Sequence, residues 1–313
     1  MQPADGTPRA VTLPSKAQEF KDFAIPARAP RSLVLEVARV LGMDDGTRRA
    51  LEDLVRGAAT RKTAVAGRFV ADEGVSRMLA GHGICEDVPE VDFHRFERVV
   101  IPRCGVALQD KRRWERDGVP LEDLTSAEVR RAQVSLALLR VEGAKALVIG
   151  RHDDAESRAL AGSVPGARIL EETTDTARLE FAPAFGAVCQ TTLSPRRVHW
   201  ISQQLHMRWR DARVTFLDTT SPAMKAREEA LEQILPRCEH VIIVGQAGEA
   251  TAEALLETAL RRGLPAHRVE GPEELDGIDL GGATRIAFSA GGFASDGAVR
   301  AVAAALKTRR PQL

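Results

Sequence analysis

Gln190, Thr191 and Thr192 stand between a short apolar run, Gly186-Ala187-Val188-Cys189, and the segment Leu193-Ser194-Pro195. The apolar run reads as a buried strand. Ser194 is a good N-cap, and Pro195 fits the first helical position, where its missing N–H costs nothing. The three polar side chains therefore lie at the carboxyl end of a strand, facing a helix N-terminus. In open α/β sheets that is where ligands bind.

Other chemistries find no pattern. The histidines His82, His94, His199, His206, His240 and His267 show no metal-ligand spacing. The sequence has no phosphate-binding Walker loop, no Gly-x-Ser-x-Gly elbow and no dinucleotide fingerprint. Gly245-Gln246-Ala247-Gly248 is too short a glycine match for a nucleotide site. Tyrosine is absent, which removes one common general acid.

Composition narrows the partners. Lys plus Arg and Asp plus Glu both number 44, so the formal net charge is zero. A nucleic-acid partner, which needs a basic excess on one face, is not expected. No run approaches the length of apolar chain that a membrane span needs, and no membrane association is expected. Cys85, Cys104, Cys189 and Cys238 are scattered without Cys-x-x-Cys spacing, consistent with free thiols and a cytoplasmic location. Residues 1–31 hold five prolines and no apolar core, and read as an N-terminal arm.

The elements that must position Gln190 to Thr192 follow a repeated unit of strand, turn and helix. Strands are predicted at Leu33 to Val37, Thr63 to Ala66, Val99 to Pro102, Ala146 to Gly150 and Ala167 to Leu170. More follow at Val188 to Thr191, Arg213 to Leu217, Val241 to Val244, Ala266 to Val269 and Arg285 to Ser289. Helical patterns lie between most of them, including about Ser126 to Val141 and Ala298 to Lys307. Strands alternating with helices imply parallel sheets with right-handed crossovers. Blocks at about 32–124, 125–217 and 218–313 each hold several units, which suggests three similar small α/β lobes, although one long doubly wound sheet satisfies the same pattern.

The motif Gln190-Thr191-Thr192-Leu193-Ser194, followed by Phe216-Leu217-Asp218-Thr219-Thr220-Ser221, resembles the 4-hydroxy-3-methylbut-2-enyl diphosphate reductase family. Val241-Ile242-Ile243-Val244-Gly245 and Phe288-Ser289-Ala290-Gly291 fall where that family has its next strand ends, and the likeness runs from about Ser32 to Leu306. The resemblance implies three lobes arranged around a central pocket. It also implies an iron–sulfur cluster held by three cysteines, one at a strand-to-helix turn of each lobe. By motif, those positions here are Asp44, in Gly42-Met43-Asp44-Asp45-Gly46, then Ser126 in Asp123-Leu124-Thr125-Ser126, and Ser221 in Asp218-Thr219-Thr220-Ser221. Thiolates are the usual cluster ligands, so no iron–sulfur cluster is expected. Each position also has a plain role at a helix start: Ser126 inside a capping box of Thr125 and Glu128, Ser221 before Pro222, and Asp44 just before a helix.

The family's diphosphate-binding residues are replaced as well. Its three histidines correspond to Ala66, Cys104 and Asp154, its Ser-Ser-Asn loop to Glu249-Ala250-Thr251, and a serine near Gly291 to Phe293. An anionic diphosphate facing Asp154 and Glu249 is disfavoured. Two features persist by resemblance: Thr191 beside the substrate, and Glu156 as the proton-donating glutamate. A glutamate at a strand end in an enclosed junction can hold a raised pKa and act as general acid or base. A first-turn glutamate favoured by the helix dipole is the plainer alternative.

The expected pocket is therefore acidic, with Glu156, Asp154 and Asp44 as catalytic candidates and Thr191, Glu249, Ser221, Ser126 and Cys104 contacting substrate. A divalent metal on carboxylate oxygens stays open. The leading expectation is a non-redox enzyme performing dehydration, elimination or isomerisation of a small polar molecule that is not a diphosphate. A non-catalytic binding protein is a second possibility, marked by a junction filled with apolar side chains such as Phe293 and Met43. A reductase with a different metal centre is a third.

Overall fold

The computed structural model describes residues 33–309, so the arm read at 1–31 lies outside the described residues. The chain forms three parallel sheets flanked by helices. The first holds β2 (Thr63–Val65), β3 (Arg98–Ile101) and β4 (Leu121–Asp123), with an isolated parallel bridge from Ala64 to Cys85 on the far side of β2. The second is ordered β6 (Arg168–Leu170), β5 (Lys145–Ile149), β7 (Ala184–Cys189), β8 (Arg213–Phe216). The third is ordered β10 (Ala266–Val269), β9 (His240–Val244), β11 (Arg285–Ala290), β1 (Val34–Val37).

Written this way, the three orders are one pattern repeated. Counting the Cys85 bridge, each sheet reads edge, first strand, third strand, last strand. The last strand of the third sheet is supplied by the start of the chain, with Val34 paired to Arg285 and Val37 to Phe288. Strand pairing therefore departs from contiguous blocks at one place: the segment 34–37, expected in the first lobe, completes the third. Its neighbour α1 (Asp45–Ala58) then crosses to the first lobe, where Ala50 and Leu54 pack with Val65, Phe69 and Leu79.

Central strands are mostly apolar because both faces are covered. Leu147, Val148 and Ile149 of β5, and Val241, Ile242 and Ile243 of β9, have no accessible surface. Each such side chain contributes roughly 2 kcal/mol by burial. Helix α4 (Ala127–Val141) turns Val129, Ala132, Leu136 and Leu139 onto the second sheet, a spacing that lines one helical face. The remaining helices that matter to the site are α5 (Ala155–Gly162), α7 (Pro195–Arg208), α8 (Pro222–Glu232) and α9 (Ala250–Arg261).

One buried cation holds the first lobe together. Arg98 is 2% exposed and forks onto Glu122, at 2.7 and 2.6 Å, while its Nη1 donates to the Leu54 carbonyl at 2.9 Å. A Cβ at Gly57 would occupy the guanidinium's place, so the glycine makes room for it. Glu122 itself reaches water, which limits the cost of leaving it unpaired. Arg98→Met is expected to lower stability by about 2 kcal/mol, read from the urea midpoint.

Candidate active site

The carboxyl ends of the parallel strands point at the three-lobe junction, where a cavity of about 500 Å³ opens. Three helices that follow the last strand of each sheet begin on it: α1, α4 and α8. Their N-caps are Asp44, Ser126 and Ser221, and each side chain accepts the N–H of the third helical residue, Thr47, Val129 or Met224. All three line the cavity together with Cys104, Glu156 and Thr191. Ser126 is the cap itself, and the capping box expected from Thr125 does not form; Asp123 accepts the Thr125 N–H instead.

Glu156, in the first turn of α5, is 4% exposed, yet it lines the cavity. Its carboxyl accepts from the Thr191 backbone N–H at 2.5 Å and meets the Thr191 hydroxyl at 3.0 Å. Burial, reinforced by the charge of Asp154, pushes Glu156 up to about 8 against the opposing Thr191 hydrogen bonds. At neutral pH it is a carboxylic acid with a proton to give.

Asp154 departs from its expected catalytic part. Its carboxylate is the N-cap of α5, accepting from the Glu156 and Ser157 N–H groups, and it is not among the cavity-lining residues. Burial raises it as well, and its charge acts on the cavity-lining Glu156 and Cys104. Glu249 also departs: it is 1% exposed, lies beneath the wall rather than in it, and accepts the Phe293 N–H at 3.0 Å. Burial holds Glu249 up at about 7. A Cβ on Gly291 would collide with its carboxylate oxygens, so the glycine lets the β11 loop close over it. Glu249 and Phe293 stand in the third lobe as Glu156 and Thr191 stand in the second, which makes Glu249 a positioning residue for the wall.

The cavity is less acidic than the sequence suggests. Glu156 is protonated, and Asp154 and Glu249 are outside the lining. For Asp44, burial raises the carboxyl, but the Thr47 hydroxyl and N–H and the nearby Arg103 outweigh it and leave it below the ordinary carboxylate value. Arg103 lines the cavity and was not anticipated; its signal was its place at the end of a predicted strand, beside Cys104. Burial pushes the Cys104 thiol up to about 12, helped by Glu156, so it is neutral. Phe293 supplies an apolar wall and packs on the first lobe's core, whereas Met43 is buried in that core and does not line the cavity. Ser194 differs in detail: its hydroxyl makes no cap and donates to the buried Glu228 of α8 at 2.9 Å, joining the second and third lobes.

The donor set does not fit an iron–sulfur cluster. Thiolates are the usual ligands of such clusters, and the three converging positions offer one carboxylate and two hydroxyls already engaged as caps. Cys104 is a single neutral thiol there, and Cys85, Cys189 and Cys238 are free and outside the lining. The divalent cation left open by the sequence finds no set either: among the described residues, no three His, Cys, Asp or Glu side chains converge as a metal-holding group.

Three parallel-sheet lobes with helix N-termini meeting at a central cavity define the class of protein: a three-lobed α/β fold with a junction site. Within that class, the chain belongs to the LytB protein family, which matches residues 36–307. It is 27% identical over 281 residues to 4-hydroxy-3-methylbut-2-enyl diphosphate reductase 2 of Burkholderia mallei, covering 87% of this chain and 85% of that one. It is 28% identical over 227 residues to the reductase of Chlamydia pneumoniae, covering 71% and 73%. Among solved structures, the E-1-hydroxy-2-methyl-but-2-enyl-4-diphosphate reductase of Plasmodium falciparum superposes with a TM-score of 0.79 at 21% identity over 86% of each chain, a likeness of fold. No helix among the described residues is long and apolar enough to cross a membrane.

Proposed function

We propose that this chain is a cytoplasmic acid–base enzyme that uses the junction cavity for dehydration, elimination or isomerisation of a small polar molecule other than a diphosphate, without a redox cofactor. The observation that carries this reading is Glu156: a protonated carboxylic acid, locked by Thr191, on the wall of a cavity large enough for a small metabolite.

In a dehydration, Glu156 gives its proton to the leaving hydroxyl oxygen, the C–O bond breaks and water departs. A neighbouring C–H bond supplies the electron pair of the new double bond, and its proton passes to the ionised Asp44 carboxylate across the cavity. No electrons are gained or lost, so no reductant is required. Thr191 positions the acid and Phe293 bounds the apolar side of the substrate. The replacement of the family's histidines by Ala66, Cys104 and Asp154 supports a substrate other than a diphosphate.

The test is a screen of short hydroxy acids and their unsaturated partners for water loss or double-bond shift in the absence of reductant, with Glu156→Gln beside the wild type. Turnover lost in Glu156→Gln supports the reading; turnover equal in both overturns it. The names of the relatives favour a second reading, a reductase, which iron and sulfide analysis and a requirement for reductant separate from the first.

A further inference from the structure

Arg103 is the cation on the cavity wall, and its side chain is 20% exposed. Its surroundings are unusual for a guanidinium so enclosed. The nearest carboxylate oxygen, on Asp44, is 3.7 Å away, beyond hydrogen-bond distance, and among the described residues nothing accepts a hydrogen bond from its five N–H donors. A fork of donors left without a protein acceptor on a cavity wall is free to take an acceptor from outside the chain. Arg151 and Arg197, beside the neighbouring groove, are by contrast satisfied: Arg151 donates to Asp153 and Arg197 to the Glu171 carbonyl.

The local backbone is shaped around this side chain. Arg103 lies over Gly46 in the first turn of α1, where a Cβ would come 3.0 Å from its Nη2 and 3.3 Å from its Nη1. The Arg103 carbonyl accepts the Ser126 N–H at 3.0 Å, which fixes the strand end against the start of α4. Arg103 is thus fixed between two helix starts, its guanidinium against the first turn of α1 and its backbone carbonyl against α4.

We infer that Arg103 anchors a small-molecule monocarboxylate in the junction cavity, an inference that rests on the cavity being the small-molecule site proposed above. The fork of guanidinium donors matches a planar two-oxygen carboxylate. Charge sets the valence. Asp44 already faces Arg103 and Glu128 also lines the cavity, so one further negative charge is accommodated better than the two or three of a phosphate ester. Apolar Val129, Pro222, Ala223 and Phe293 enclose the remainder of the ligand.

Butanoate, its neutral analogue butanamide, and inorganic phosphate are the probes, with binding to the whole chain measured by calorimetry at neutral pH. Butanoate is expected to bind, butanamide about tenfold more weakly or less, and Arg103→Gln to weaken butanoate by about tenfold or more. Arg103→Lys keeps the charge and is expected to retain part of the affinity, which separates loss of the anchor from loss of the fold; the far-ultraviolet spectrum of Arg103→Gln checks the same point. Binding is read without turnover, so failure of the acid–base reading leaves this result standing. Failure of butanoate to bind, equal affinity for butanoate and butanamide, or unchanged affinity in Arg103→Gln each overturns the inference. Phosphate binding more tightly than butanoate, and losing that affinity in Arg103→Gln, overturns the carboxylate assignment in favour of a phosphate ligand.

Discussion

Glu156→Gln is expected to be more stable than the wild type at pH 8 while losing turnover. The unfolded chain ionises Glu156 near the ordinary carboxylate value of 4.5, and the folded chain keeps it protonated up to about 8. Between those values the folded state holds a proton that the unfolded state has released, so stability falls as pH rises through this window. The cost is fully present above about 8 and absent below about 4. At neutral pH it is on the order of 3 kcal/mol, from the free energy of a pKa shift.

Glutamine fits the same place. Its carbonyl oxygen can accept the Thr191 N–H and its amide can donate to the Thr191 hydroxyl, replacing both observed bonds without a titrating proton. Urea midpoints at pH 5 and pH 8 check the outcome: the wild type should lose stability over this interval and Glu156→Gln should lose much less. The residual slope in the variant belongs mainly to Glu249, which burial holds at about 7. Parallel pH dependences in the two proteins would show that Glu156 is ionised in the folded state.

Arg227→Met is expected to destabilise the chain by about 4 kcal/mol, through loss of a buried cation and exposure of what it satisfied. Arg227, on α8, is 2% exposed and donates to the carbonyls of Ala290 at 3.0 Å and Gly42 at 2.8 Å. Ala290 ends β11 and leads to Phe293, while Gly42 leads to Asp44; one guanidinium therefore ties together two walls of the cavity. Burial lowers its pKa, and the charges of Glu249 and Asp44 oppose that and keep the ion in place. Methionine fills comparable volume but leaves both carbonyls without donors and removes the counter-charge of Glu249. Chemical denaturation gives the loss, and butanoate affinity should fall with it because the wall loosens. A variant as stable as the wild type would mean that water replaces the guanidinium at both carbonyls.

Much of the fold was legible because its signals are local. Short apolar runs rich in β-branched residues, such as Val241 to Val244 and Ala146 to Ile149, read as strands covered on both faces, and Ser221-Pro222 marks a helix start by cap chemistry. The pairing of β1 with β11 was not legible, since register between segments about 250 residues apart leaves no local trace.

The site divided along the same line. Glu156 and Asp154 are two residues apart and identical in charge, and only the exact start of α5 decides which becomes the cap and which turns into the cavity. Arg227 was hidden because a buried arginine is visible only once Met224, Arg227 and Leu231 are known to share an inward face.

The central claim, a junction that works without the family's cluster, is tested most directly by purifying the protein anaerobically and measuring its iron, acid-labile sulfide and visible absorption. With Asp44, Ser126 and Ser221 where thiolates would be needed, the protein should be colourless, with iron and sulfide at trace level. A brown protein with stoichiometric iron and sulfide would contradict the account and return the chain to reductive chemistry.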